Sequence, residues 1–468
     1  MHPTIMKFGG TSVEGARAFA NVAEIVSARG ALRPVVVVSA MSGMTDALLA
    51  SVSQARDGDV KAAVLSLVHQ FERHIDVAKE LLGADAVPLL ALIENAGQDI
   101  TGLLRLVATR PTELPTIQDA IASFGERLSA ALLAAVLSQK GVAAREVDAR
   151  RCILTDHSHG CATPLEKETF QRTRAELHPL IEESEIPVLG GFIGATVGGE
   201  TTTLGRGGSD YTAALIGAAL SAREIQIWTD VSGVLTADPR IVQNARTIPR
   251  LSYAEAAELA YFGAKVLHPK TIQPAVEGSI PVRICSARAP ESADTLVGAE
   301  TASSPQTVKA IAHKTGITTL QITSARMLGA YGFLRALFEV FDRHRTAVDV
   351  VTTSEVSVSL SLDDASSLSS IVQELEQLGE VTVERGRAII CVVGEGLRST
   401  PGIAARIFSA ISDINISLIS QGASRINLTF AVEAERVAEA VTRLHEAFFT
   451  ESKIQSPLSR VVASGIER

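Results

Sequence analysis

The stretch Gly190–Asp210, GGFIGATVGGETTTLGRGGSD, carries eight glycines, three consecutive threonines, one arginine and a closing aspartate. Glycine lets a backbone turn with positive φ and bring its N–H groups close to a ligand. The run YTAALIGAALSA that follows reads as a helix, and a helix start adds unpaired N–H donors at the positive end of the peptide dipole. Such an array binds anions, phosphate above all. A second cation beside glycines lies at the amino terminus, where TIMKFGG sets Lys7 just ahead of Gly9 and Gly10. The carboxyl edge of an open α/β sheet is where ligands sit, so Lys7 reads as a phosphate contact rather than a surface lysine. In SAMSGMTDALLA, Ser39, Ser42, Gly43 and Thr45 repeat the strand-end, small-residue, helix-start pattern. That is either a capped helix without a ligand or another wall of one cleft, and the repetition favours the cleft. Glu126 and Arg127 interrupt the small, apolar helix SFGERLSAALLAAVL. Glu126 sits either on a solvated face or in the cleft, where a carboxylate would receive a substrate ammonium. Thr229-Asp230 ends a strand, and Asp238-Pro239-Arg240 closes the turn-rich VSGVLTADPR; an acid–arginine loop there suits the base, ribose and outer phosphates of a nucleotide. The long glycine stretch could be only a surface loop, but loops of this length are usually functional or disordered, and the patterned flanks disfavour disorder. No GxxxxGK[ST] and no strand-linked GxGxxG occurs.

The elements that must position these residues alternate. Strands are expected at Thr4–Gly10, Arg33–Ala40 (RPVVVVSA, a continuous β-branched run), Gly141–Asp148, Ile186–Ile193, Glu224–Thr229 and Ile280–Ser286. Such apolar runs mark parallel strands buried on both faces. Ala47–Leu137 is mostly helical, with breaks at Pro88, Pro111 and Pro115. The alternation predicts a three-layer α/β domain with a mostly parallel sheet. From about Ser303 two successive segments repeat a βαββαβ plan, TTLQITS to VTVERG and RAIICVVGE to LHEAF, as in ferredoxin-like units. The second copy lacks an evident last strand, and Val308–His313 (VKAIAH) is expected to return and complete its sheet.

At 468 residues the chain needs two or three domains. A net charge of −9 without a basic stretch argues against nucleic acid as a partner. Cys152, Cys161, Cys285 and Cys391 show no CxxC spacing, which argues against disulfides and a zinc site and makes a reducing cytoplasm the expected compartment. No apolar run is expected to be long enough to span a bilayer, and the strand at the amino terminus is expected to leave no room for a signal or transit segment.

Taken in order, KFGGTSV (7–13), VVSAMSGMTDALL (37–49), SFGERLS (123–129), TTTLGRGGSDYTAAL (201–215), WTDVSGVLTADPR (228–240) and FGAKVLHP (262–269) resemble the aspartate kinases. These are amino-acid kinases with tandem C-terminal ACT domains, and MLGAYGFL, VDVVTTSEVSVSL and ISLISQGAS match the regulatory half of the lysine-inhibited monofunctional type. The resemblance implies a catalytic domain over 1–295 and ACT domains over 303–386 and 387–460. It implies phosphorylation of the L-aspartate side chain by ATP to give 4-phospho-L-aspartate, the first step towards lysine, threonine and methionine, with Mg²⁺ held mainly by the phosphates. In that reading Lys7 stabilises the transferring group and Asp210 holds Lys7. Arg206 and Glu126 grip the α-carboxylate and ammonium of aspartate, with Thr45, Ser209 and Ser39 assisting. Gly9 and Gly10 line the phosphate path, and Thr229, Asp230, Leu235, Arg240, Lys265 and Val266 meet the nucleotide. Met327, Ala330, Phe333, Leu334, Val348, Asp349, Ser354, Glu355 and Val356 form a lysine site, Asp349 and Glu355 meeting the effector's ammonium groups. Many relatives carry an aromatic residue in place of Leu235, and a hydroxyl in place of Ala330. Pairing of ACT units between chains implies a homodimer or homotetramer.

Two other readings compete. One is a kinase for glutamate or a related acid, which TTTLGRGGSDYT with a tandem ACT tail disfavours. The other is a non-catalytic amino-acid sensor on a degenerate kinase, which the presence of Lys7, Arg206 and Asp210 disfavours. A fused homoserine dehydrogenase would need more chain than these residues offer.

Overall fold

The computed structural model describes residues 2–263, 269–299, 307–329 and 331–450. They fall into two compact units. The first takes the described residues of Met1–Val234, Thr247–Tyr261 and Lys265–Ser303, the second those of Leu235–Arg246, Phe262–Ala264 and Ser304–Arg468.

The first unit is built on an eight-stranded sheet in the order Ala144–Val147, Ile186–Gly190, Pro34–Val38, Thr4–Phe8, Glu224–Thr229, Val282–Ser286, Thr295–Gly298, Arg250–Ser252. Neighbours run parallel, except that Val282–Ser286 and Thr295–Gly298 are antiparallel. Side chains alternate between the faces of a strand, and both faces here are apolar. Met6, Phe8, Val36, Val38, Val188 and Trp228 join one core with the helices Ala16–Ser27, Met44–Arg56, Val60–Leu82, Val87–Thr109 and Phe124–Gln139. Ile5 and Ile225 face the other way, onto Gly217 of the helix Gly208–Ala219, where an added Cβ would come within 2.7 Å of Ile225 Cδ1. This is the expected three-layer α/β architecture on a mostly parallel sheet.

Three expectations need correction here. The helical run Pro111–Gln139 is long and apolar enough to cross a membrane, although none was expected; 78% of its most apolar window is buried inside the protein, which accounts for the composition. The strand expected over Ile186–Ile193 ends at Gly190, because Phe192 takes φ +68°. Beyond it, Ile193–Thr196 and Thr201–Thr203 form an antiparallel hairpin beside Leu154–Thr155, so the glycine stretch is not a loop throughout. Its three consecutive threonines are buried strand residues, a place that β-branched side chains suit. The short strands Arg250–Ser252 and Thr295–Gly298 were not anticipated either.

The second unit is one six-stranded antiparallel sheet, in the order Val351–Thr353, Ser357–Leu362, Ala310–Thr323, Glu380–Val393, Asn427–Glu433, Leu418–Gln421. Its two central strands, of 14 residues each, serve both βαββαβ copies. Thr318–Thr323 pairs with Ser357–Leu362 and, from Thr319, with Glu380–Glu384, whereas Ala310–His313 pairs with Ile390–Val393 in the second copy. Helices Phe333–Arg343 and Leu368–Leu375 cover the first copy, Ile403–Ala410 and Val437–Phe449 the second. Leu235–Arg246, which the expected boundary assigns to the catalytic domain, packs into this second unit. Ala237 and Val242 enter its core, and Ile311 N–H donates to Thr236 O at 2.8 Å.

Candidate functional site

Lys7 lies on a strand hydrogen-bonded on both sides, opposite Val37 and Ile227. The strand therefore fixes where its ammonium emerges. Lys7 Nζ reaches Asp210 Oδ1 at 2.7 Å, with only 12% and 16% of the two side chains exposed. Asp210 stands in the first turn of Gly208–Ala219, where a carboxylate is favoured by the helix dipole. Both helices that open at this point, Gly208–Ala219 and Met44–Arg56, start after a glycine in the left-handed region, Gly207 at φ +75° and Gly43 at φ +80°. Neither start carries a side-chain cap; Gly208 N–H donates to Gly205 O at 3.0 Å and Met44 N–H to Met41 O at 2.9 Å, which leaves the later N–H groups of each first turn for a ligand or water.

These groups surround a cavity of about 370 Å³ that Lys7, Gly10, Ser39, Thr45, Glu126, Arg206, Ser209 and Asp210 all line. Ser39 Oγ donates to Ser209 Oγ at 3.0 Å. Arg206 is exposed and has no carboxylate partner among the described residues. Glu126 is 3% exposed; Ala40 N–H donates to its Oε1 at 3.2 Å, and Oε2 has no partner among the described residues. Burial pushes the Glu126 pKa up to about 8, against the pull of the Ala40 N–H. The structure thus puts Glu126 in the cleft, while Arg127 lies over the Phe124 ring, 4.6 Å from its centroid.

Close approach explains the glycines at the strand end. An added Cβ at Gly190 would come within 2.9 Å of Glu126 Cβ, and one at Gly191 within 2.7 Å of Ser209 Cα. At Gly10 it would meet Ala40 O at 2.9 Å. Gly9 donates its N–H to Trp228 O at 3.2 Å and lies beside Lys7.

The remaining expected residues lie elsewhere. Thr229 Oγ1 donates to Asp230 Oδ1 at 3.1 Å, and Asp230 lines a second cavity, of about 970 Å³, with Ser12, Arg17 and Arg288. Leu235 and Arg240 belong to the second unit, where Asp238 holds the Arg240 guanidinium at 2.6–3.1 Å. Lys265, Val266 and Ala330 lie outside the described residues. In the second unit, Met327, Phe333 and Val348 pack against the first-copy core, while Leu334, Glu355 and Val356 are exposed. Ser354 Oγ is 2.7 Å from Ser357 Oγ, and Ser324 N–H donates to Val356 O at 2.8 Å. Asp349 is 3% exposed at its side chain, with Lys314 Nζ 3.8 Å away.

Sequence reasoning missed Asp46 and Phe192, which also line the Lys7 cavity. Asp46 had a local signal, an acid in the first turn of a helix; Phe192 had none. Arg73 was also missed: it donates to Ser42 O at 2.9 Å and to Glu14 O at 3.3 Å, tying together two strand-end turns.

The cavity presents a held ammonium, a guanidinium without a carboxylate partner among the described residues, a buried carboxylate and two helix starts without side-chain caps. Such a set can accept an amino acid by its ammonium and α-carboxylate while a phosphate approaches Lys7.

The amino acid kinase family profile matches residues 3–286, and an ACT domain profile matches 390–448. The chain is 39% identical over 479 residues to aspartokinase 3, chloroplastic, of Arabidopsis thaliana, covering 98% of this chain and 85% of that protein. Among solved structures it is similar to E. coli aspartokinase III in complex with aspartate and ADP, an R-state, with a TM-score of 0.81 and 36% identity over 96% of this chain and 100% of the other. The T-state of the same enzyme, in complex with lysine and aspartate, matches with a TM-score of 0.81 and 37% identity, covering 96% and 99%.

Proposed function

Because the chain belongs to the amino acid kinase family, as an aspartokinase, we propose that the Lys7–Arg206–Asp210 cavity is where the side-chain carboxylate of L-aspartate meets the γ-phosphoryl group of ATP. The reaction is phosphoryl transfer to that carboxylate, giving 4-phospho-L-aspartate and ADP. An ionised carboxylate is already a nucleophile, so no general base is needed. What the site must supply is a way to hold two anions together, and positioned cations and N–H groups do this. Lys7 meets the transferring phosphoryl oxygens, while Asp210 fixes its ammonium. Arg206 takes the α-carboxylate bidentately, which its planar fork allows and a lysine would not. Glu126 receives the α-ammonium, with Thr45, Ser39 and Ser209 alongside, and Gly9 and Gly10 allow the phosphates to come close. Thr229 and Asp230 are assigned to the nucleoside. Mg²⁺ enters with the nucleotide as substrate, held by its phosphates; among the described residues no three His, Cys, Asp or Glu side chains converge on an ion site.

Feedback by lysine is the second part of this reading. The T-state relative was crystallised with lysine, and Asp349 and Glu355 supply the negative charge that two ammonium groups need. The product then leads towards lysine, threonine and methionine. A homodimer or homotetramer is proposed through the six-stranded sheet, whose edge strands leave Val351 and Ile419 exposed. The cytoplasm is the proposed compartment.

The observation that carries the reading is that Lys7, Glu126, Arg206 and Asp210 share one cavity. A coupled assay of ADP release tests it with aspartate, with glutamate, and then with added lysine or threonine. Turnover with aspartate that lysine suppresses is expected; release with glutamate alone would contradict the substrate assignment.

A further inference from the structure

Asp119, in the helix Leu114–Ala122, is 2% exposed and lies outside the Lys7 cavity. We propose that it is a positioning residue for the loop that carries Arg206. Its Oδ1 accepts from Thr203 Oγ1 at 2.7 Å and from Gly160 N–H at 3.1 Å. Its Oδ2 accepts from Thr203 N–H at 3.0 Å and Gly160 N–H at 2.9 Å, and lies 3.1 Å from His159 Nδ1. The other ring nitrogen of His159 is 3.0 Å from Thr116 Oγ1, on the same helix as Asp119.

Thr203 ends the hairpin strand Thr201–Thr203, and Leu204, Gly205 and Arg206 follow it directly. The segment around Gly160 supports the same loop from its other side. Ala162 N–H donates to Thr203 O at 2.8 Å. Gly205, at φ +73°, sits so close that an added Cβ would be 3.3 Å from both Gly160 O and Cys161 Sγ. One buried carboxylate therefore holds the root of the arginine loop and the segment on which that loop rests. Only an acceptor-only group satisfies this ring of donors; an amide would turn an NH₂ towards at least one N–H.

The inference rests on the assignment of Arg206 to the α-carboxylate of aspartate. Displacing a positioned group by about an ångström costs on the order of 10²-fold in rate. A partial loosening of the loop is accordingly expected to raise the aspartate KM roughly tenfold.

The test is steady-state kinetics on the full chain with Asp119→Asn, Thr203→Val, Thr203→Ser and Arg206→Lys. Thr203→Val keeps the β-branched shape and the backbone N–H but removes the hydroxyl donor, so it reports even where Asp119→Asn folds poorly. Asp119→Asn and Thr203→Val are expected to raise the aspartate KM while the ATP KM stays within about twofold, and Thr203→Ser is expected to restore the native value. Loss of active protein with both KM values unchanged would overturn the proposal, as would a parallel rise in both. If Arg206→Lys raises the aspartate KM and Thr203→Val does not, the clasp alone is overturned. If Arg206→Lys leaves the aspartate KM unchanged, the assignment beneath it fails.

Discussion

Lys7 Nζ lies 2.7 Å from Asp210 Oδ1, joining the end of the first strand to the first turn of the helix that follows the arginine loop. The acid takes one of the three ammonium donors, and in the proposed reading the other two are offered to phosphoryl oxygens. It also fixes a side chain that would otherwise sample many rotamers, so the charge is in place before the nucleotide arrives. A phosphate entering here meets an oriented cation beside an uncapped helix start.

Glu126 gives the site a pH signature. Its pKa is raised to about 8 by burial, against 4.5 for an ordinary glutamate. The free folded chain therefore holds more protons than the unfolded chain between these values, and its stability falls as pH rises through that window. A substrate ammonium reverses the preference by favouring the ionised acid. Calorimetry of aspartate binding at pH 7 in two buffers of different ionisation enthalpy is expected to show release of about one proton, absent in Glu126→Gln. Identical apparent enthalpies in both buffers would contradict this.

Arg206→Lys keeps the charge but loses the planar fork. The aspartate KM is expected to rise about tenfold, with the ATP KM within about twofold. An unchanged aspartate KM would count against a bidentate carboxylate contact.

Gly191→Ala places a methyl group 2.7 Å from Ser209 Cα. Overpacking of this kind costs typically about 1–3 kcal/mol, and either Ser209, which meets Ser39, or the strand end must shift. A lowered Tm together with a raised aspartate KM is expected, measured by thermal shift and steady-state kinetics. Native values of both would show that the strand end yields without cost.

Asp349→Ala removes a nearly buried carboxylate from the expected effector site. Inhibition by lysine should weaken roughly tenfold or more, since a charge-assisted contact of this kind is worth about 1.5–3 kcal/mol. Titration of activity against lysine measures it; a native enzyme indifferent to lysine would remove the feedback proposal.

The sequence made the parallel strands and the chemistry legible because each is a local pattern. VVVV ending in SAMSG, and KFGG after an apolar run, announce strand ends with ligand-facing turns whatever packs around them. The hairpin inside the glycine stretch was missed because TTT, read among glycines, looked like loop, and its burial is decided by the distant Leu154–Thr155 strand. Glu126 could not be placed from its own helix alone, since Ala40 and Gly190 bring it into the cavity. The docking of Leu235–Arg246 in the second unit was invisible for the same reason: its partners, Ile311 and His445, are far away in the chain.

The most direct measurement is the turnover of Lys7→Ala with aspartate and MgATP, trapping the acyl phosphate with hydroxylamine and checking the fold by circular dichroism. Removing one preorganised charge at the transferring group should lower kcat by roughly 10²–10³-fold while the spectrum stays native. A folded Lys7→Ala enzyme that retains kcat within about twofold of the native value would contradict the account.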